Sequence, residues 1–374
     1  MDLSLQVEER TLFRRIDWNL ILVMLALQLV GLINLYSATH GPHSEGVEQL
    51  FVNQMIWLTA GWTIFMVATF VEYSILMKLA YVFYFLNLGA ILWVTLFGNV
   101  ALGAQRWIDF GFFKYQPSET MKMCLIMILA KILSQFNTTG RGMGFKELFW
   151  PVLILLIPFG LVVEQPDLGT ALMLTAIGSS MILFCKVRKS ILISAILAIA
   201  VAIPMAWNYG LRDYQKNRVI NFIDPMNDPQ GTGYNSIQSR IAVGSGQLVG
   251  KGFRKGTQSQ LEFLPERHTD FIYSVLSEEH GFIGSLTTIG LFAVLFLIGV
   301  RIASTARDKF GALLVVGVLC YVFWHMFVNI GMVIGLLPIV GVPLPLLSYG
   351  GSGMITTMTG LGIVSSVAYR RYIF

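Results

Sequence analysis

Residues 18–38 read WNLILVMLALQLVGLINLYSA, a run without a single Asp, Glu, Lys or Arg. At 1.5 Å rise per residue, about 20 such residues in a helix match the ~30 Å hydrocarbon core of a bilayer. The first span reads as roughly 17–38, and the pattern recurs at 50–71, 75–97, 118–135, 148–164, 168–185, 189–210, 270–300, 310–334 and 350–369, which predicts about ten transmembrane helices. Composition agrees. Charged residues make up 13% of the 374 residues, against roughly 25% in soluble domains, and hydrophobic residues make up 55%. The mean hydropathy is +0.68. These values exclude disorder, collagen and a disulfide scaffold. Cys124, Cys185 and Cys320 lie in apolar runs with no CxxC spacing, which excludes a structural zinc site. The fold class is an all-α polytopic membrane protein. Residues 1–374 read as one domain, with a large ordered extracytoplasmic loop, 211–269, between the seventh and eighth helices.

Orientation follows from the Lys/Arg bias of short loops. With the N-terminus inside, the inner segments carry Arg10, Arg14, Arg15, Lys78, Arg141, Lys146, Lys186, Arg188, Lys189, Arg301, Arg307, Lys309, Arg370 and Arg371, and the short outer loops only Arg106 and Lys114. Both termini are then cytoplasmic and the long loop faces outward. The first run lacks a cleavage site and reads as a retained anchor. The net charge of +5 says little about partners beside where the charges sit, and no nucleic-acid partner is expected.

The polar residues gather on the outer side. The 211–269 loop holds Arg218, Arg240, Lys251 and Arg267, with His268 just before its junction to the eighth helix. Loops longer than about 15 residues are usually functional or disordered. The recurrent apolar residues here favour order, with a short amphipathic helix over Ile237–Val243. Its basic residues suit an anionic ligand at headgroup level, or contact with lipid headgroups alone. Asp270 sits where this polar loop meets the eighth helix. Partial burial there raises a carboxyl toward a general-base range, while Arg267 and His268 would pull it back. The competing reading is a helix N-cap.

Glu119 and Lys122, three apart at the start of the fourth helix, share a face. An ion pair inside a membrane is costly and seldom kept for stability alone. The alternative is a capping box with a snorkelling lysine. Asp167 precedes the sixth helix as a cap candidate, and Arg106-Trp107 on an outer loop suits an interfacial anchor. His325 reads as a buried neutral histidine. The stretch from Gly335 to Gly353 includes Pro338, Pro343 and Pro345, which cannot sustain a helix. Irregular backbone at membrane depth must line a cavity or be buried in protein, so an apolar cavity wall is expected here.

The run Asn329-Ile330-Gly331-Met332 through Pro343-Leu344-Pro345-Leu346-Leu347-Ser348-Tyr349-Gly350-Gly351-Ser352 resembles the signature of the SEDS family (shape, elongation, division and sporulation proteins). So do Gly103-Ala104-Gln105-Arg106-Trp107, Gln116-Pro117-Ser118-Glu119, Gln165-Pro166-Asp167-Leu168-Gly169-Thr170 and Phe263-Leu264-Pro265-Glu266-Arg267-His268-Thr269-Asp270-Phe271, in the same order. The resemblance covers essentially the whole chain. The Gly341-Val342-Pro343-Leu344-Pro345 version is similar to the elongation, RodA-type branch.

The resemblance implies a peptidoglycan glycosyltransferase that polymerises lipid II into glycan strands for cell elongation and rod shape, on the outer face of the inner membrane. It implies Asp270 as general base toward the acceptor sugar hydroxyl, with inversion and release of undecaprenyl pyrophosphate. Arg218, Arg240, Lys251, Arg267 and His268 are then the candidates for the pyrophosphate. Arg106, Trp107, Glu119, Lys122 and Asp167 carry over as supporting polar positions of the outer cavity. No DxD pattern is present, so the sequence leaves a divalent cation (magnesium or manganese) open. Expected partners are lipid II, the nascent lipid-linked glycan, a class B penicillin-binding protein transpeptidase and membrane proteins of the elongation machinery. The rival readings are a lipid II flippase, which needs the charges and groove but no base, and an ion-coupled transporter, which predicts more mid-span charge.

Overall fold

The apolar runs fold as long helices close to the expected bounds. The computed structural model describes residues 15–40, 48–101, 104–109, 111, 114–136, 142–228, 231–261 and 263–371. Arg10, Arg14 and Arg141, used above for orientation, and Gly103 and Glu262 lie outside the described residues. The long helices are α1 (Trp18–Thr39), α2 (Glu48–Phe70), α3 (Tyr73–Phe97), α4 (Pro117–Gln135), α5 (Phe145–Glu164), α6 (Leu168–Phe184) and α7 (Lys189–Met205). After the outer loop, which contains α8 (Asp213–Ile223), α9 (Thr232–Ser245) and the single turn α10 (Thr257–Gln260), come α11 (Ile272–Ser304), α12 (Lys309–Ile334) and α13 (Gly351–Arg370).

Seven helices among the described residues are long and apolar enough to cross a membrane: α1, α2, α3, α5, α7 with its continuation to Gly210, α11 and α12. The other three long helices, α4, α6 and α13, are shorter or more polar. Of these, α4 and α13 sit in the interior, whereas α6 exposes Leu172, Leu183 and Phe184. Nearly every residue of α4 from Pro117 to Leu133 is buried, and so is most of α13. A helix sheathed by other helices does not meet lipid, so it can carry Glu119 and Lys122 or a row of Thr and Ser. At the other extreme, α7 buries only Ile191 and shows apolar side chains on every face.

The all-α class holds, with one small local addition. Three short strands between α3 and α4 form an antiparallel sheet of order β1-β2-β3, with β1 Asn99–Ala101, β2 Ala104–Asp109 and β3 Lys114–Tyr115. Trp107 pairs across to Asn99, and Ile108 to Tyr115. The segment is too short and polar to span, and strand pairing satisfies its backbone donors and acceptors.

The 211–269 loop is folded over its described residues. The expected Ile237–Val243 helix lies within α9, tied to α12 by a Ser239 Oγ bond to the Val333 carbonyl at 3.1 Å. Backbone bonds from Lys251 N to Glu278 O and from Gly252 N to Glu279 O, both 3.0 Å, fasten the later part of the loop to α11. The eighth span is not one straight helix. Gly281 has φ +65 and ψ −159 inside α11, a conformation that L side chains resist. A Cβ there would fall 2.4 Å from Gly250 N. Ile272–Glu279 is buried against α1, where Asn34 Nδ2 donates to the Ile272 carbonyl at 2.7 Å and Ser37 Oγ to Glu279 Oε1 at 2.6 Å. From Phe282 onward the helix exposes its apolar face.

Candidate active site

The irregular backbone after α12 does line a cavity. Gly341, Pro343–Leu346 and Ser348–Gly350 form one wall of a space of about 560 Å³, closed on other sides by α2, α4, α12 and the β2 strand. The extended segment is held open by its own polar groups. Ser348 Oγ donates to the Thr269 carbonyl at 2.7 Å and accepts from Leu344 N at 2.8 Å, and Tyr349 N donates to the His268 carbonyl at 2.9 Å. These bonds splice the Gly/Pro-rich stretch to the end of the outer loop, so the two motifs form one surface.

Asp270 is on that surface. Asn329 Nδ2, from α12, donates both to the Asp270 carbonyl at 2.8 Å and to the Val342 carbonyl at 2.7 Å. Gly341, at φ +75, faces the carboxylate so closely that a Cβ would sit 3.4 Å from Asp270 Oδ2. The helix-cap reading is not realised. Phe271 occupies the cap position of α11, with no side-chain cap bond. Burial pushes the Asp270 carboxyl up to about 6, Glu266 adds to the rise and Arg218 opposes it. Desolvation disfavours the charged form and outweighs the one guanidinium.

This corrects the sequence reading of the neighbours. Arg267, adjacent in sequence, is buried and donates through Nε to the Ala38 carbonyl at the end of α1, 2.9 Å away. The His268 ring lies against Tyr349, with Nε2 3.8 Å from Glu266 Oε2, and burial holds its pKa below the usual imidazole value. Arg218, far away in sequence, is the cation that acts on Asp270.

The supporting residues converge. Arg106, Trp107, Glu119 and Asp167 all line the cavity. Asp167 does cap α6, accepting from Thr170 N at 3.3 Å, yet its other oxygen accepts from Gln116 Nε2 at 3.3 Å and lies 3.9 Å from Arg106 Nε. Arg106 Nε also donates to the Gln165 carbonyl at 3.3 Å, and its Nη2 to the Pro166 carbonyl. The Gln165–Asp167 turn is thereby clamped to the β2 strand. Lys122 does not snorkel. Its side chain is 1% exposed, and Nζ lies 2.7 Å from Glu119 Oε1 and 3.0 Å from His325 Nε2.

None of the groups proposed for a pyrophosphate, Arg218, Arg240, Lys251, Arg267 or His268, lines this cavity; Arg218 lies at a separate small pocket with Asn221 and Leu337. Lys251 pairs with Glu278 at 2.7 Å, and Glu278 also accepts from Gln258 N at 3.0 Å. A carboxylate that is 0% exposed must have such partners. Arg240 lies against Gly335 at the end of α12. Arg267 is turned to α1 and Lys251 fastens the loop to α11, so Arg106 is the arginine on the cavity wall, and Arg218 acts on the carboxylate only through its charge. Trp57 of α2 and Tyr321 of α12 join the wall without any sequence signal, and His325 of α12, read from the sequence as a buried histidine, is buried and on the wall as well. Helix packing alone brings them there. Among the described residues no three His, Cys, Asp or Glu side chains converge as a metal set. The carboxylates of the wall do not make a cage of the kind a dedicated divalent site needs.

Comparisons with known proteins give a consistent relationship. Residues 17–373 match the FtsW/RodA/SpoVE family model, described as cell cycle protein. A peptidoglycan glycosyltransferase MrdB of Escherichia coli is 38% identical over 360 residues, covering 95% of this chain and 94% of its own. A peptidoglycan glycosyltransferase RodA of Treponema pallidum is 32% identical, covering 95% and 98%. Among solved structures, a chain of a peptidoglycan synthase complex, described as coordinating polymerization and crosslinking, superposes with a TM-score of 0.81 at 30% identity, covering 96% of this chain and 99% of its own. The rod shape determining protein RodA of Thermus thermophilus superposes with a TM-score of 0.70 at 27% identity, covering 96% and 98%.

Proposed function

The chain belongs to the FtsW/RodA/SpoVE family of cell cycle proteins, and we infer that it is a peptidoglycan glycosyltransferase of the inner membrane whose general base is Asp270. The observation that carries the assignment of the base is a carboxyl raised to about 6 on the wall of a 560 Å³ cavity. A base with a pKa close to working pH is deprotonated often enough to act and basic enough to take a proton.

The substrate is lipid II. Asp270 takes the proton of the acceptor sugar 4-hydroxyl as that oxygen attacks the anomeric carbon of the donor glycan. The C–O bond to undecaprenyl pyrophosphate breaks, configuration inverts, and the proton passes from Asp270 to water. Pyrophosphate leaves without needing a proton, so one base suffices. Arg106, on the cavity wall, meets the charge that develops on it, with Arg218 contributing its charge from beyond the wall. The apolar Pro343–Leu346 backbone and the lipid-facing helices suit the polyprenyl tail. The Lys/Arg bias puts both termini in the cytoplasm and this cavity on the outer face. The chain forms glycosidic bonds, and a class B penicillin-binding protein, a transpeptidase, supplies the cross-links as its partner, alongside other membrane proteins of the elongation machinery.

Purified chain in detergent with lipid II tests the reading. Wild type forms polymer, and Asp270→Asn forms none. Equal polymerisation by the two proteins would remove Asp270 as base. Lipid II translocation in proteoliposomes without any polymer would support a flippase instead.

A further inference from the structure

His325 and Asn329 lie one turn apart on a single face of α12. Asn329 ties the Asp270 and Val342 carbonyls together. One turn earlier, His325 stands between Lys122 and the Pro343 carbonyl, with Nε2 3.0 Å from Lys122 Nζ and Nδ1 3.4 Å from Pro343 O. An ammonium has protons to give and no lone pair. Nε2 is therefore the bare acceptor, and the ring proton sits on Nδ1, toward Pro343. Lys122 is thereby directed to two acceptors, Glu119 Oε1 and His325 Nε2. Glu119 is fixed in turn. Its Oε1 is engaged, while Oε2 is buried with no hydrogen-bond partner, on a residue that lines the cavity. A buried carboxylate oxygen left unpaired is costly, and a ligand donor would satisfy it.

We propose that His325 is a positioning residue, which holds Lys122 on Glu119 Oε1 so that Glu119 Oε2 is the acceptor for a hydroxyl or amide N–H of the sugar substrate. The proposal rests on the cavity being the polymerising site. It assigns substrate binding to a part of the wall distinct from the base, and it makes His325, acting through Lys122, part of that subsite.

The test separates the two ring nitrogens. In His325→Gln the side-chain amide reaches the Nε2 position and can accept from Lys122. In His325→Asn it reaches only the Nδ1 position. Initial rates of lipid II polymerisation are measured for the full chain in detergent, with thermal unfolding alongside. His325→Gln keeps KM within about twofold of wild type, whereas His325→Asn raises KM about tenfold with kcat little changed, the pattern of lost uniform binding. In a Lys122→Met background, His325→Asn adds less than about twofold, because its effect acts through the lysine. A wild-type KM for His325→Asn overturns the proposal. So does a Gln variant as impaired as Asn, or a full tenfold loss added on Lys122→Met. If Lys122→Met does not fold, the Gln/Asn pair decides alone. Polymer made by Asp270→Asn would remove the base and leave this KM order standing. Loss of the KM order with Asp270→Asn inactive removes only the histidine.

Discussion

Replacing Asp270 by Asn separates activity from stability, because the same desolvation serves one and harms the other. The carboxyl moves from 3.8 to about 6 on folding. Two units at about 1.4 kcal/mol each set an upper figure of about 3 kcal/mol against the charged folded state. The side chain keeps some access to cavity water, which screens part of this and leaves about 1–2 kcal/mol. Because the folded value is raised, the wild type has no penalty below about pH 4. It loses stability as pH rises through 4 to 6, and the loss is complete above about 6. Asparagine has no charge to desolvate. Asp270→Asn is therefore expected to melt higher than wild type at pH 7.5, by roughly 1–3 °C for a chain of this length, and to match it near pH 4. Over the same range its polymerisation falls at least about 100-fold. Wild-type activity falls on the acid side, to about a tenth of its plateau at pH 5, as the base becomes protonated. Thermal unfolding in detergent and initial polymerisation rates, each from pH 4 to 8, check both. An Asn variant that melts below wild type at pH 7.5, or a wild-type acid limb centred near 4, would refute the desolvated-base argument.

Lys251→Met strips the ammonium from the fully buried Glu278. We expect a loss of about 3 kcal/mol, read as earlier unfolding, with KM for lipid II unchanged. A raised KM at normal stability would return Lys251 to the substrate. Arg106→Ala releases the Gln165 and Pro166 carbonyls and a cation on the cavity wall, so kcat/KM should drop about 10–100-fold. Activity within twofold of wild type would exclude that role. Gly281→Ala forces a Cβ to 2.4 Å from Gly250 N at φ +65 and should cost at least about 1–3 kcal/mol. An unchanged melting temperature would show that the α11 kink does not depend on the glycine.

Much of the architecture was legible because the bilayer imposes a local rule. Hydrocarbon thickness requires long apolar runs, and the runs at 18–38 and 310–334 closely match α1 and α12. Asp270 was legible for a related reason. A carboxylate at the junction of a polar loop and an apolar helix must be partly desolvated, whatever the fold does elsewhere. Charge, by contrast, gave little guide to partnership. Arg267 and Asp270 are near neighbours in sequence, yet the guanidinium turns to the Ala38 carbonyl. Arg218, distant in the chain, acts on the carboxyl instead. The long side chain of an arginine reaches whichever carbonyl or carboxylate the packing leaves unsatisfied, and nothing local encodes that.

The same holds for Trp57, for the partners of His325, whose burial alone was legible, and for the small sheet between α3 and α4. Each depends on which helices adjoin, and an apolar stripe specifies that only through its fit to others. Sequence alone determined where the chain enters and leaves the apolar phase, because that depends on a sum over neighbouring residues. Tertiary structure decided which polar groups meet inside, because a buried donor must find an acceptor wherever in the chain one lies.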